Sequence, residues 1–221
     1  MNLSKITRIF VIILVPFFLI MTAVRLMISP LFVEFEYKAP GFPADEYGFT
    51  QEERLKWAKI SVDYLLNNQG IEFLGNQMLD SKTPLYNERE LSHMLDVKNL
   101  IQAMIVAWYA IGAILILLGV WAHFKKWAKD FWSGISVGGL ATLILLGVAF
   151  VAILTAFDWL FTEFHHLFFT GDTWLFYYTD TLIRLFPMRL WQDAFIFVGI
   201  LSAIFGLLFL TLGSRLQRRI Q

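Results

Sequence analysis

None of the 221 residues is a cysteine. That removes disulfides, thiol nucleophiles, thioester acyl intermediates and thiolate metal sites in one step. Charge is scarce as well: Asp, Glu, Lys and Arg make up 16% of the chain, and eighteen bases offset eighteen acids. A net charge of zero offers no basic surface for nucleic acid, so no nucleic-acid partner is expected. Proline occurs only six times, and no internal repeat, low-complexity tract or Gly/Ser/Pro-rich linker divides the sequence. A single membrane domain over residues 1–221 is the economical reading. What the chain has in abundance is apolar surface: 57% hydrophobic residues and a mean hydropathy of +0.61. This is the composition of a membrane protein.

A hydrocarbon core of about 30 Å needs roughly 20 apolar residues per helix. Four stretches satisfy this, namely 9–29, 100–122, 131–157 and 194–213. The predicted fold is an all-α integral membrane protein, a four-transmembrane-helix bundle. An extracytoplasmic helical cap occupies 30–99, and an aromatic re-entrant or interfacial connection occupies 158–193 between the third and fourth helices. Lys5 and Arg8 precede the first apolar run as they would in a signal peptide. That run, however, is longer than the usual ~7–15 residues and no Ala-x-Ala-like site follows it, so an uncleaved helix is expected. Lys5, Arg8, Lys125, Lys126, Lys129, Arg215, Arg218 and Arg219 flank the inner span ends with only Asp130 for company. By contrast, Glu34 to Lys98 carries twelve acids against seven bases, and Asp158 to Asp193 five against two. The positive-inside rule then places both termini in the cytoplasm of a multi-pass protein of the cell membrane, with both large connections outside.

Within the first connection, Pro30, Pro40, Gly41 and Pro43 predict an irregular start. Thr50 with Glu53 three residues on is a capping box for a helix through about Asn68, amphipathic through Leu55, Ala58, Val62 and Leu65. Asn87 with Glu90 offers a second cap, after which nothing interrupts the helical pattern from Glu88 to Ala122.

The stretch from Asp158 to Asp193 holds two of the four histidines, five acids, two arginines and eleven aromatic residues, between segments without charge. Loops are normally polar and run over a wet surface. This one reads as a piece at membrane depth with its rings in the headgroup belt and its polar groups around a protein-lined cavity. Gly171-Asp172-Thr173 marks a break and a new helix cap. Polar residues inside the spans are few and lie near the outer end, which points away from a pump or ion path and toward chemistry at the outer leaflet. Arg25 either snorkels to the headgroups or turns inward, where its guanidinium would hold a carbonyl or phosphate oxygen of a lipid. His93 shares one helix face with Tyr86, Arg89 and Asp96. An Asp one turn away orients a His ring, although an exposed His with an ordinary ion-pair partner fits the spacing equally. His165 and His166 lie beyond the third span, with Asp158, Asp172 and Trp174 nearby. Gly134-Ile135-Ser136-Val137-Gly138 matches the Gly-x-Ser-x-Gly elbow of serine hydrolases, but that elbow needs a strand-to-helix turn. Here it opens a membrane helix, where small residues serve close packing.

Two segments, NERELSHMLDVKN around His93 and FHHLFFTGDTWLFYYTDTL around His165, resemble the lipoprotein intramolecular transacylases of Gram-positive bacteria. The resemblance implies a four-helix membrane enzyme whose catalytic groups are two histidines at the outer leaflet, here His93 and His165, with His166 adjacent. It implies as partners a diacylated bacterial lipoprotein and membrane lipid. The sn-2 acyl chain would move from the S-diacylglyceryl group to the α-amine of the N-terminal cysteine, giving the lyso-form lipoprotein. Asp96, Arg25, Tyr86, Arg89, Asp158, His166, Asp172 and Trp174 are the supporting or substrate-binding candidates, and no cofactor or metal is called for. Two other classes compete. One is a metal-dependent membrane hydrolase using His93, His165, His166 and one of Asp96, Asp158 or Asp172. The other is a non-catalytic lipid-binding protein.

Overall fold

The computed structural model describes residues 3–169, 171 and 173–220, the side chains of Leu154 and Phe157 excepted. Its helices are α1 (Leu3–Met27), α2 (Pro30–Tyr37), α3 (Gln51–Leu66), α4 (Glu72–Gly75), α5 (Glu88–Phe124), α6 (Ala128–Phe168), α7 (Thr181–Leu185) and α8 (Met188–Arg219). Four stretches are long and apolar enough to cross a membrane: α1, α5, α6 as far as Ile153, and α8. The protein is an all-α membrane protein with four candidate spans, as the apolar run lengths predict.

Three elements differ from expectation. The segment after Pro30 is helical, because proline is tolerated at the first helical position and the Ser29 hydroxyl caps the turn by accepting from the Phe32 N–H at 3.2 Å. The third membrane helix does not end at Phe157 but runs on to Phe168 across a break at Ala156 (φ −152°, ψ 41°). Just before that break the Thr155 hydroxyl donates to the Val151 carbonyl at 2.8 Å, a back-bond of the kind that bends helices. No helix begins at Thr173; the chain is irregular up to Asp180, and Asp172 lies outside the described residues.

The fold divides into two compact units. One comprises α1 through Leu26, α5 from Met104, α6 through Phe157 and α8 from Ile196. Its core gathers Val11, Val15 and Leu19 of α1, Leu115 and Ala122 of α5, and Phe131 and Ile135 of α6. The Gly134–Gly138 pair is the α1 contact: a Cβ on Gly138 would lie 2.6 Å from that of Val15. Between them Ser136 bonds to Ser214 at 2.7 Å and to the Leu210 carbonyl at 3.1 Å. The serine of the apparent hydrolase motif therefore belongs to the α6–α8 seam. Residues such as Val106, Ile116, Leu117 and Val148 point outward, two-thirds exposed, as lipid-facing side chains should.

The other unit comprises Met27–Ala103 and Asp158–Phe195. Its core includes Tyr37, Trp57, Tyr64, Leu74, Leu85, Tyr86, Met94, Leu182 and Leu185. The short α7 is its hub, because each neighbour bonds to it by a different group. The Tyr37 hydroxyl donates to the Leu185 carbonyl at 2.7 Å, and the Arg54 guanidinium grips the Arg184 carbonyl at 2.6 and 2.9 Å. Arg184 in turn pairs with the buried Asp45 at 2.8 Å. Both chemistry-bearing connections of the sequence thus fold into one body.

Candidate active site

The first turn of α5 is fixed before it presents His93. Asn87 and Glu90 cap it reciprocally, at 2.8 and 3.0 Å. Glu90, 1% exposed, uses its other oxygen to accept from the Leu182 N–H at 2.6 Å. Tyr86 bonds to Ser61 of α3 at 2.6 Å, Thr181 donates to the Leu85 carbonyl at 2.6 Å, and Arg89 pairs with Asp180 at 2.6 Å. His93, one turn further on, is only 9% exposed. His165 lies on α6 beyond the break, half-buried, and its ring stacks toward that of His93 with centroids 6.3 Å apart and planes 22° from parallel.

Aromatic rings enclose the pair. Phe169 packs on both imidazoles, at 5.0 Å from His93 and 5.6 Å from His165. Phe176 meets His93 edge-on at 5.3 Å, while Trp174 and Phe161 lie 4.7 and 4.2 Å from His165. Such a wall keeps water away from the rings, and the pKa values follow. His93 precedes the apolar stretch that begins at Leu100; burial first, and the nearby His165 second, lower its pKa from the ordinary 6.5. Burial also lowers that of His165, against the Phe161 carbonyl, which raises it.

One hydrogen bond decides what His165 offers. Its Nδ1 lies 2.7 Å from the Phe161 carbonyl oxygen, which can only accept. Nδ1 therefore carries the proton, and Nε2 of the neutral ring holds a free lone pair. His93 differs: its buried Nδ1 has no hydrogen-bond partner among the described residues. One ring is held as a ready proton acceptor beside another whose polar edge awaits a partner.

The remaining expected residues have separate places. His166 is exposed and faces Glu163 at 3.9 Å, with Trp174 5.5 Å from its ring. Asp96 is half-buried and makes no bond to His93 Nδ1. The Tyr86 hydroxyl is engaged with Ser61 and Arg89 with Asp180. Asp158 is exposed just past the α6 break. Arg25 stands in the last turn of α1, half-buried, in the transmembrane unit. Among the described residues no group of three or more His, Asp or Glu side chains is gathered as a metal would need. The structure adds Glu90, Phe169, Phe176 and Asp180. Glu90 left a trace in the sequence as the second half of the Asn87 cap, while Phe169, Phe176 and Asp180 lie in the FHHLFFTGDTWLFYYTDTL segment around His165 with no role read for them individually.

The sequence profile of the family described as "Lipoprotein intramolecular transacylase Lit" matches residues 9–191. The chain belongs to the lipoprotein intramolecular transacylase family. Membership makes it an integral membrane acyltransferase whose partners are lipoproteins and membrane lipid. An uncharacterised protein of Aquifex aeolicus (strain VF5) is 34% identical over 213 residues, covering 96% of this chain and 94% of that protein. The fold is similar to that of the membrane integral transacylase Lit from Bacillus cereus, with a TM-score of 0.80 at 21% identity over 98% of this chain and 96% of that one. A variant of the same enzyme with one histidine replaced by alanine superposes with a TM-score of 0.72 at 19% identity, over 98% of this chain and 94% of that one. At these identities the likeness to the membrane integral transacylase structures is one of fold.

Proposed function

We propose that this transacylase moves the sn-2 acyl chain of an S-diacylglyceryl-cysteine lipoprotein to the α-amine of its own N-terminal cysteine, with His93 and His165 as the catalytic pair. The observation that carries this reading is the Phe161 carbonyl bond, which commits His165 Nδ1 as donor and leaves Nε2 basic, 6.3 Å ring to ring from His93. The α-amine attacks the ester carbonyl, and His165 Nε2 takes the proton that nitrogen must lose. A new C–N bond forms as the sn-2 C–O bond breaks, and an N–H of His93 supports the carbonyl oxygen and then the leaving alkoxide. The proton ends on the freed glycerol hydroxyl. Nucleophile and ester are parts of one molecule, so folding the headgroup into attack geometry supplies much of the rate, about 7–11 kcal/mol for well-oriented intramolecular reactions. No enzyme nucleophile is needed, in keeping with a chain that has no cysteine and whose Ser136 is spent on packing.

By the same reading the protein lies in the cell membrane with both termini cytoplasmic, and the histidine pair faces the outside, where lipoproteins are anchored. The test is to incubate the purified protein with a synthetic diacylglyceryl-cysteinyl peptide and locate the acyl chains by tandem mass spectrometry. An unchanged total mass with one chain on nitrogen supports the transfer, and His93→Ala or His165→Ala abolishes it. Release of free fatty acid, suppressed by a chelator, would instead support the metal-dependent hydrolase.

A further inference from the structure

Beside the imidazole pair lies a cavity of about 300 Å³ lined by Asp96, Asn99, Leu100, Phe168 and Phe169. That is the lower end of the ~300–1,000 Å³ usual for small-molecule pockets. It connects to the chemistry through one ring, since Phe169, a wall of the cavity, also packs on both His93 and His165. Its polar groups come from Asp96 and Asn99, three residues apart on one face of α5, while the other walls are apolar. Neither side chain takes part in a hydrogen bond or ion pair among the described residues, although both belong to a unit whose other polar groups are densely paired. Asp96 therefore does not serve His93 as an orienting acid; it presents an unclaimed carboxylate to the cavity. No Lys or Arg lines the space. A phosphate headgroup would meet an acid there and no base, whereas an ammonium would meet its counter-charge.

We propose that Asp96 and Asn99 form the subsite that recognises the substrate's free α-amino terminus. Asp96 binds the ammonium of the N-terminal cysteine, and Asn99 hydrogen-bonds the first peptide group. The inference rests on the transacylase reading and deepens it. Asp96 gathers the ammonium beside the imidazole pair; one proton leaves to bulk water, and the free amine then attacks while its second proton passes through His165 to the departing glycerol oxygen, so a lipoprotein with a free amine is selected and one already N-acylated is not. The carboxylate binds and aims the nitrogen and forms no bond to the acyl group.

The test uses ether-linked S-dialkylglyceryl-cysteinyl peptides, which bind but cannot transfer a chain, in free-amine and N-acetyl forms. Wild-type protein in detergent is expected to bind the free amine about tenfold more tightly, the worth of one charge-assisted contact. Asp96→Asn is expected to erase that preference while leaving N-acetyl binding unchanged, which also shows that the variant is folded. Asn99→Ala is expected to weaken both probes alike. Equal binding of the two probes by wild type, or a preference that survives in Asp96→Asn, overturns the proposal; unaltered binding of both probes by Asn99→Ala removes Asn99 from it. Absence of acyl transfer from the ester peptide by wild type would instead strike the transacylase reading itself, and the ether probes report on the subsite independently of that outcome.

Discussion

Asp180 is the residue through which the wall over His93 is held, and replacing it by alanine isolates that function. Its Oδ2 accepts from Arg89 at 2.6 Å and from the Tyr177 N–H at 2.8 Å, and its Oδ1 accepts from Asn87 at 3.1 Å. Arg89 also lies over the rings of Tyr177 and Phe176, at 4.9 and 5.7 Å, and Phe176 is the ring packed edge-on against His93. Two neutral donors at ~0.5–1.5 kcal/mol each, plus an ion pair discounted to ~0.5–1 kcal/mol for solvent screening, give a loss of about 1.5–4 kcal/mol. The discount is required because the Arg89 side chain is 35% exposed, against 11% for Asp180. Thermal unfolding in detergent measures the loss, and a double-mutant cycle with Arg89→Ala is expected to show a coupling of about 0.5–1 kcal/mol. If the strap aims His93, acyl transfer to the cysteinyl amine falls about tenfold at a temperature where the variant is fully folded. Transfer within about twofold of wild type, despite the expected stability loss, would refute the positioning argument and leave Asp180 as a structural clamp alone.

What the sequence shows of this fold is what depends on local chemistry. The spans are legible because crossing hydrocarbon demands length and apolarity together. The Thr50–Glu53 and Asn87–Glu90 caps are legible because both partners lie within one turn, and the structure starts α3 and α5 where they predict. The misses share a cause in tertiary context. Pro30 reads as a breaker until Ser29 is seen capping the turn it begins. Asp158 reads as the end of a span, whereas the helix bends at Ala156 and carries on. For the site, residue type picked out the histidines, but their convergence rests on packing between distant segments, with Phe169 against both rings. Helical spacing grouped Tyr86, Arg89 and Asp96 with His93, but Tyr86 precedes the Asn87 cap and lies outside α5, and spacing could not assign the duties of the three. Those were set by Ser61, Asp180 and a cavity contributed by distant segments, and no spacing rule reaches that far.

The pH dependence of turnover has a definite sign. Because burial lowers the pKa of His165 and the reaction needs its neutral ring, the enzyme's own acid limb in kcat should lie below the ordinary histidine value, beneath the limb of the substrate's ammonium at about 7.7–8.0; an enzyme limb centred above about 6.5 that does not move with the amine pKa of the substrate would contradict the assignment. Glu36, 4% exposed, has its pKa raised to about 7, first by burial and then by Asp193. The folded protein thus holds this proton where the unfolded chain has lost it, so stability is highest below the ordinary carboxylate value and falls as pH rises toward 7. Glu36→Gln should flatten that window and raise stability at pH 8 by up to about 3 kcal/mol, read as a higher Tm; an unchanged pH profile would refute the account. In the transmembrane unit, a Cβ at Gly139 would lie 2.6 Å from both the Gly206 carbonyl oxygen and the Leu210 nitrogen, whereas at Gly147 it would meet nothing within 4 Å. Main-chain atoms cannot rotate aside, so Gly139→Ala must part α6 from α8 at a cost of about 1–3 kcal/mol, while Gly147→Ala should gain up to about 1 kcal/mol from helix propensity. Equal Tm values for these two variants would mean that glycine contact does not set the spacing of the two helices.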